Sequence, residues 1–235
     1  MPVEGESQPL IENPAPPALR AAMYVDGFNL YYPIHEMGQD WCHLKWANLW
    51  KLGELIAEPH QAEVVKVVFC TAVPSHYPEK RDRHNTFNNA QRAHGVTIIP
   101  GHHMHDGEKW NEKQTDINVA LSLMLDGADD VYDMAILLSA DSDQGATARF
   151  FRERFPEKRL LAVAPPNRPV SDKVKPYAFQ HFSMSRQLME RAVMGETVQG
   201  KNGLIVRPPS YAPPVGWMHP DDRPKGKPPK APKGL

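Results

Sequence analysis

The chain of 235 residues has little with which to staple or anchor itself. Its two cysteines, Cys42 and Cys70, are too few for a disulfide framework or a thiolate zinc site. They read as reduced thiols of a cytoplasmic protein. No apolar run approaches the ~20 residues a membrane span needs, so no membrane partner is expected. The first residues lack the charged-then-apolar order of a secretory signal, and no stretch repeats. Neither charge predominates, with 27 Lys+Arg against 28 Asp+Glu. Such a balance by itself argues against a nucleic-acid partner.

Proline and charge are nevertheless unevenly spread. Residues 1–20 hold five of the 24 prolines and residues 201–235 hold nine. Proline cannot continue a helix or a central strand. Both ends also lack apolar periodicity, so 1–20 and 201–235 are expected to be mostly disordered extensions. The folding unit is then residues 21–200, long enough for a sizeable core. From residue 201 on there are seven bases and two acids, which leaves 20 bases and 26 acids in the first 200 residues. An acidic body thus carries a basic Pro/Lys-rich tail, either a solubilising extension or a non-specific attractor of RNA.

Within the unit, short apolar runs alternate with helical patterns. Residues 22–26, 63–70, 96–99, 134–139 and 160–164 read as strands. Helices are expected from about Asn29 (limited by Pro33), over 43–57, 79–94, 115–126 and 144–154, and through most of 179–194, where a short strand at the start stays open. Residues 102–113 read as a loop. In the 115–126 helix, Ile117, Leu121, Met124 and Leu125 fall on one face, the expected core face. The order of elements indicates a three-layer α/β/α fold with a mainly parallel sheet. Ligands of such sheets bind beyond the carboxyl ends of the strands, where strand order reverses.

Acids sit at that edge. Asp26 closes the first strand, with Asn29 three residues on. Asp141 and Asp143 follow the strand that ends at Ser139, and Asp116 opens the helix before it. Each alone is an ordinary turn residue or helix cap. Four carboxylates at one place are costly unless a cation neutralises them. All-oxygen donors favour Mg²⁺ or Mn²⁺. The Asp141–Gly145 stretch is not an EF-hand loop, because its glycine falls at position 5 rather than 6.

Tyr24-Val-Asp-Gly-Phe-Asn-Leu-Tyr-Tyr32, Lys113-Gln-Thr-Asp116 and Ala135-Ile-Leu-Leu-Ser-Ala-Asp-Ser-Asp143 resemble the three signature segments of NYN domains. These are a branch of the PIN-like, 5′-nuclease-related fold. The resemblance extends over about residues 22–185. It implies that the first and fourth strands are neighbours, and that the protein is a metal-dependent ribonuclease, an endonuclease acting on RNA. It also implies that Asp26, Asp116, Asp141 and Asp143 hold the metal beside Asn29. Ser139 matches the small polar residue before the acidic pair, and Lys113 the basic residue ahead of the helix acid. Lys113 either contacts phosphate or pairs with Asp116. Gln144 departs from the family's usual Phe or Leu, which loosens the packing expected behind the site.

Other candidates are weaker. His102-His-Met-His105 lacks a fourth zinc ligand and reads as a solvated loop. Lys80, Arg81, Arg83 and Arg92 form a basic helix face, either solvated or gripping phosphates. Trp41, Trp46 and Trp50 suit core packing better than base stacking. The competing reading of the whole chain is a non-catalytic RNA- or nucleotide-binding adaptor, and the sequence leaves a homodimer open.

Overall fold

Leu19–Asp26 (β1) is eight residues long and its last six are buried, the pattern of a strand covered on both faces. A computed structural model describes it with the rest of residues 18–74, 77–105, 107 and 110–224. Gly27–Glu36 (α1), Leu49–Ala57 (α2), Ala62–Thr71 (β2), Pro78–Ala93 (α3) and Thr97–Pro100 (β3) follow. Next come His102–His105 (β4), Trp110–Lys113 (β5), Thr115–Ala128 (α4), Met134–Leu138 (β6), Gln144–Arg154 (α5) and Arg159–Ala164 (β7). Gln180–Ser183 (β8), Arg186–Glu190 (α6), Thr197–Gly200 (β9) and Gly203–Val206 (β10) complete the chain order.

Six strands form one sheet in the order β3-β2-β1-β6-β7-β8. Every neighbouring pair is parallel. The chain builds outward from β1 through β2 and β3, then returns to place β6 on the other side of β1. The order therefore reverses between β1 and β6, the first and fourth strands anticipated from sequence. Alternation along β1 divides the core. Met23 and Val25 pack with Leu30, Ile34, Leu49, Leu52 and Ile56 of α1 and α2. Ala22 and Tyr24 pack with Val119, Leu123, Ala148 and Phe151 of α4 and α5. The fold is α/β, with helices on both faces of a parallel sheet. Among the described residues no helix is long and apolar enough to cross a membrane.

Four local expectations need correction. Residues 43–57 are not one helix, because a 3₁₀ stretch at Gln39–Trp46 ends before Asn48, whose side chain caps α2 by accepting from the Lys51 amide at 3.1 Å. Where a loop over 102–113 is expected, His102–His105 and Trp110–Lys113 pair as antiparallel strands β4 and β5. The short strand left open at the start of 179–194 is present as β8 beside β7, and the helix that follows is only Arg186–Glu190 rather than most of the stretch. The core face of α4 is also not the one that apolar spacing picks out. Ile117, Leu121 and Leu125 are more than half exposed. Thr115, Val119, Leu123 and Asp126 are buried instead. Asp126 can be buried because Lys66 Nζ and the Tyr24 hydroxyl each donate to it at 2.8 Å.

The ordered unit also runs past residue 200. The β9–β10 hairpin straddles that expected boundary, and Tyr211 is buried. Trp217 Nε1 donates to Glu190 at 3.0 Å, and Arg223 donates to the same carboxylate at 3.1 Å. Proline denies this segment ladder hydrogen bonds but not side-chain packing. Most of the expected N-terminal extension (residues 1–17) and the Lys-rich end of the tail (residues 225–235) lie outside the described residues.

Candidate metal centre

Asp26 ends β1 at the switch point and caps α1. Its Oδ1 accepts the backbone N–H groups of Phe28 and Asn29, both at 3.1 Å. Its Oδ2 accepts from Asn29 Nδ2 at 2.7 Å and from the Ser139 hydroxyl at 3.3 Å. Asn29 Oδ1 in turn accepts the Ala140 N–H at 3.2 Å. One amide side chain thereby ties the end of β1 to the segment that leaves β6. The next residue must be glycine, because a Cβ on Gly27 would lie 2.7 Å from the Cys70 carbonyl oxygen and 2.9 Å from Thr71 Cβ. That close approach of α1 to the end of β2 sets where Asp26 points.

The second acid arrives from the hairpin. Gln114 takes a left-handed conformation (φ 78°) between β5 and α4, and its Oε1 lies 3.0 Å from His102 Nδ1. This turn places Asp116 in the first turn of α4. The third acid, Asp141, donates its backbone N–H to Ser139 Oγ at 3.1 Å, and its Oδ1 accepts the Asp143 N–H at 2.9 Å. Gln144 is buried behind them. Its Nε2 donates to the Asp116 carbonyl at 3.2 Å, and its Oε1 accepts from Thr147 Oγ1 at 2.9 Å. The departure from an apolar residue at 144 thus ties α4 to α5 by hydrogen bonds instead of loosening the packing.

Asp26, Asp116 and Asp141 converge, each offering a carboxylate oxygen within 4.8 Å of the others. Asp26 is buried and the other two are half-buried. Burial, with the charge of Asp141 adding, holds the Asp26 carboxyl above its usual range, against hydrogen bonds from Asn29 and Asp116 that pull it down. No Lys or Arg among the described residues forms an ion pair with Asp26 or Asp141. Three converging hard oxygen donors fit a divalent ion such as Mg²⁺ or Mn²⁺. They do not fit a soft or thiolate-seeking metal. Both cysteines are buried, and burial pushes the Cys70 thiol up to about 12, which leaves it inert.

The other sequence candidates fall in different places. Asp143 is exposed at the start of α5 and lies outside the converging trio. Ser139 is buried beneath Asp26, as its two hydrogen bonds require. Lys113 is exposed at the end of β5. Arg81 and Arg92 are exposed on α3, where Arg81 meets Asp82 at 3.4 Å and Arg92 meets Asn89 at 3.1 Å. Trp46 is fully buried and donates to the Gly195 carbonyl at 2.9 Å, a core role. No histidine among the described residues joins a metal-capable group. Gly27 and Gln144 are the supporting residues that spacing did not reveal. For Gly27 the signal is present, since a glycine directly after a buried strand marks a close backbone approach.

Comparison with known proteins agrees with this geometry. The NYN domain family model matches residues 20–172. No curated protein is significantly similar. Among solved structures, a protein of unknown function from Vibrio parahaemolyticus has a TM-score of 0.52 at 19% identity, over 72% of this chain and 94% of that one. A likeness at that identity shows the shared fold. The family match runs from β1 to beyond β7 and takes in all three converging acids, and so the chain belongs to the NYN domain family.

Proposed function

We propose that this protein is a metal-dependent ribonuclease that hydrolyses internal phosphodiester bonds of RNA. The observation that carries the reading is the convergence of Asp26, Asp116 and Asp141 at the switch point of the sheet, with no Lys or Arg among the described residues ion-paired to Asp26 or Asp141. Membership of a PIN-like nuclease family supports the same reaction class. Asp26, Asp116 and Asp141 would hold Mg²⁺ or Mn²⁺. When bound, such an ion lowers the pKa of a water and offsets charge that develops on the phosphate.

The chain's own residues do the rest. Asn29 and the first N–H groups of α1 fix Asp26 from one side, and Ser139 from the other. A carboxylate pinned by four donors reorganises little as charge moves nearby. Gln144 fixes the backbone that carries Asp116. Asp143, exposed beside the trio's Asp141, is assigned as a proton acceptor for the attacking water or as a holder of a further water. Lys113, three residues before Asp116, is assigned to a phosphate of the substrate, with Arg81 and Arg92 as outer electrostatic contacts.

The experiment is cleavage of a panel of unstructured and hairpin RNAs by purified wild type and Asp141→Asn, in Mn²⁺ or Mg²⁺ and in EDTA. Wild type is expected to cut only with metal, and the variant on the order of a hundredfold more slowly or worse. If both proteins bind RNA equally and leave it intact in every condition, the chain is a binding adaptor and the enzymatic reading is wrong.

A further inference from the structure

Cations that this fold takes partly or wholly out of water are paired with acids, except in one place. Arg20, Lys66, Lys158, Arg168 and Lys175 each meet an aspartate or a glutamate. Lys45, Arg83 and Arg207 are half-buried too, yet none of them is ion-paired to an acid among the described residues. A partly desolvated Lys or Arg is seldom kept without a counter-charge. Cations held in that way suit an anionic ligand.

The three come from distant parts of the chain and meet on the outer side of α1. Lys45 lies in the 3₁₀ stretch 39–46, Arg83 in α3, and Arg207 just after β10. The Lys45 ammonium is 3.1 Å from His35 Nδ1 and 4.7 Å above the Tyr31 ring. The His84 ring is 5.9 Å from the same tyrosine. The Arg83 guanidinium reaches the hydroxyl of buried Tyr211. Burial lowers the Lys45 pKa and the charge of Arg83 lowers it further. Lys45 and Arg207 both act on the Cys42 thiol, where exposed Asp40 opposes them. The group adjoins the metal centre, because Lys45, His84 and Tyr211 line a cleft together with Gly27 and Phe28, the two residues that follow Asp26. Tyr31 itself stands a rise of about 7.5 Å along α1 from Asp26.

We propose that Lys45, Arg83 and Arg207 form an anion site that holds a phosphate of the RNA strand about one or two nucleotides from the phosphate at the carboxylates. The inference rests on the ribonuclease reading for its substrate, whereas the anion site stands on its own residues. It gives the strand a direction across the protein, along α1 and toward the C-terminal segment. That segment then has a task in binding, since it supplies Arg207 directly and seats Arg83 through Tyr211. Arginine forks grip phosphate by two parallel hydrogen bonds, and the lysine adds a point charge.

The test has two arms, both in EDTA with the full chain. Inorganic phosphate is titrated at constant ionic strength while the Arg83 and Arg207 Nε–H resonances are followed. A saturable shift of both is expected. A fluorescent, unstructured 12-nucleotide RNA is then titrated by anisotropy at several salt concentrations. The Lys45→Gln/Arg83→Gln variant is compared with Arg152→Gln/Arg154→Gln, which removes the same charge from α5 on the other face of the sheet. The first is expected to lose tenfold or more in affinity, with a salt slope shallower by about 0.7 for the lost phosphate contact. The second is expected to change less than twofold. Resonances that phosphate leaves unmoved overturn the site, whether or not the variant folds. RNA binding that falls no further in the first variant than in the second overturns it too. Either result leaves the ribonuclease reading intact. Binding that depends on the site, without any cleavage in Mn²⁺, supports the anion site and removes the ribonuclease reading instead.

Discussion

Replacing Asp26 by Asn should make the metal-free protein more stable while disabling it. The substitution keeps the shape and the Oδ1 acceptor, so the cap on the Phe28 and Asn29 amides survives. It removes one charge from a cluster whose oxygens lie within 4.8 Å of each other. At an effective dielectric of about 20, one such like-charge pair costs about 3.5 kcal/mol, and solvent screening at the half-exposed partners roughly halves that. Against the gain stands one mismatch, because the new amide would meet Asn29 Nδ2, donor to donor, at the cost of about 1 kcal/mol. Relief of the buried charge itself leaves a net of about 1–2 kcal/mol, or several °C in Tm for a unit of this size.

Melting is followed by circular dichroism in EDTA and in saturating Mn²⁺. In EDTA at neutral pH the variant should melt higher. With metal at about 100 times its Kd, wild type gains about 2.7 kcal/mol by mass action and the order reverses. The pH dependence has a definite sign. The folded Asp26 carboxyl sits above its unfolded value, so its contribution is greatest at low pH and is lost as pH rises through the folded pKa. The variant's advantage should therefore shrink on acidification. If it melts no higher than wild type in EDTA, and Mn²⁺ raises both by the same margin, the Asp26 charge carries no penalty and holds no metal, and the electrostatic reasoning fails.

Gly27→Ala would force a Cβ to within 2.7 Å of the Cys70 carbonyl, and about 1–3 kcal/mol of stability should disappear in urea titration. Gln144→Ala should weaken Mn²⁺ binding about tenfold by calorimetry, because the Asp116 backbone loses its anchor to α5. Unchanged affinity would show that the tie is dispensable. Asp143→Asn should leave Mn²⁺ affinity nearly intact whereas Asp141→Asn abolishes it, since only Asp141 lies in the converging trio. Burial, with Arg83 adding, lowers the His84 pKa to about 4. The unfolded chain therefore binds a proton first as pH falls below about 6.5, and His84 withdraws up to about 3 kcal/mol of stability between there and pH 4. His84→Gln should flatten that part of the stability–pH curve.

The elements that form the site were legible because their signals are local. Continuous apolar runs in β1 and β6 announced buried parallel strands, and acids directly after them marked the ligand edge. Four candidate carboxylates resolved into three that converge and one, Asp143, that stays outside, which depends on where the turn after β6 points and not on spacing. The core face of α4 was misread because its buried stripe ends in Asp126, and the partners that make its burial tolerable, Lys66 and Tyr24, lie 60 and 102 residues away. The packed part of the C-terminal segment escaped for the same reason. Its composition reads as unstructured, but Trp217 and Arg223 find Glu190 only in the folded chain. Gln144 looked like a loss of packing because its partner is a backbone carbonyl on another helix.

The most direct test of the metal centre is anomalous diffraction from crystals soaked in Mn²⁺. The expected result is a peak within about 2.0–2.3 Å of oxygens from Asp26, Asp116 and Asp141, absent in crystals of Asp141→Asn. Ordered carboxylates with no peak between them, or a peak at another set of residues, would contradict it.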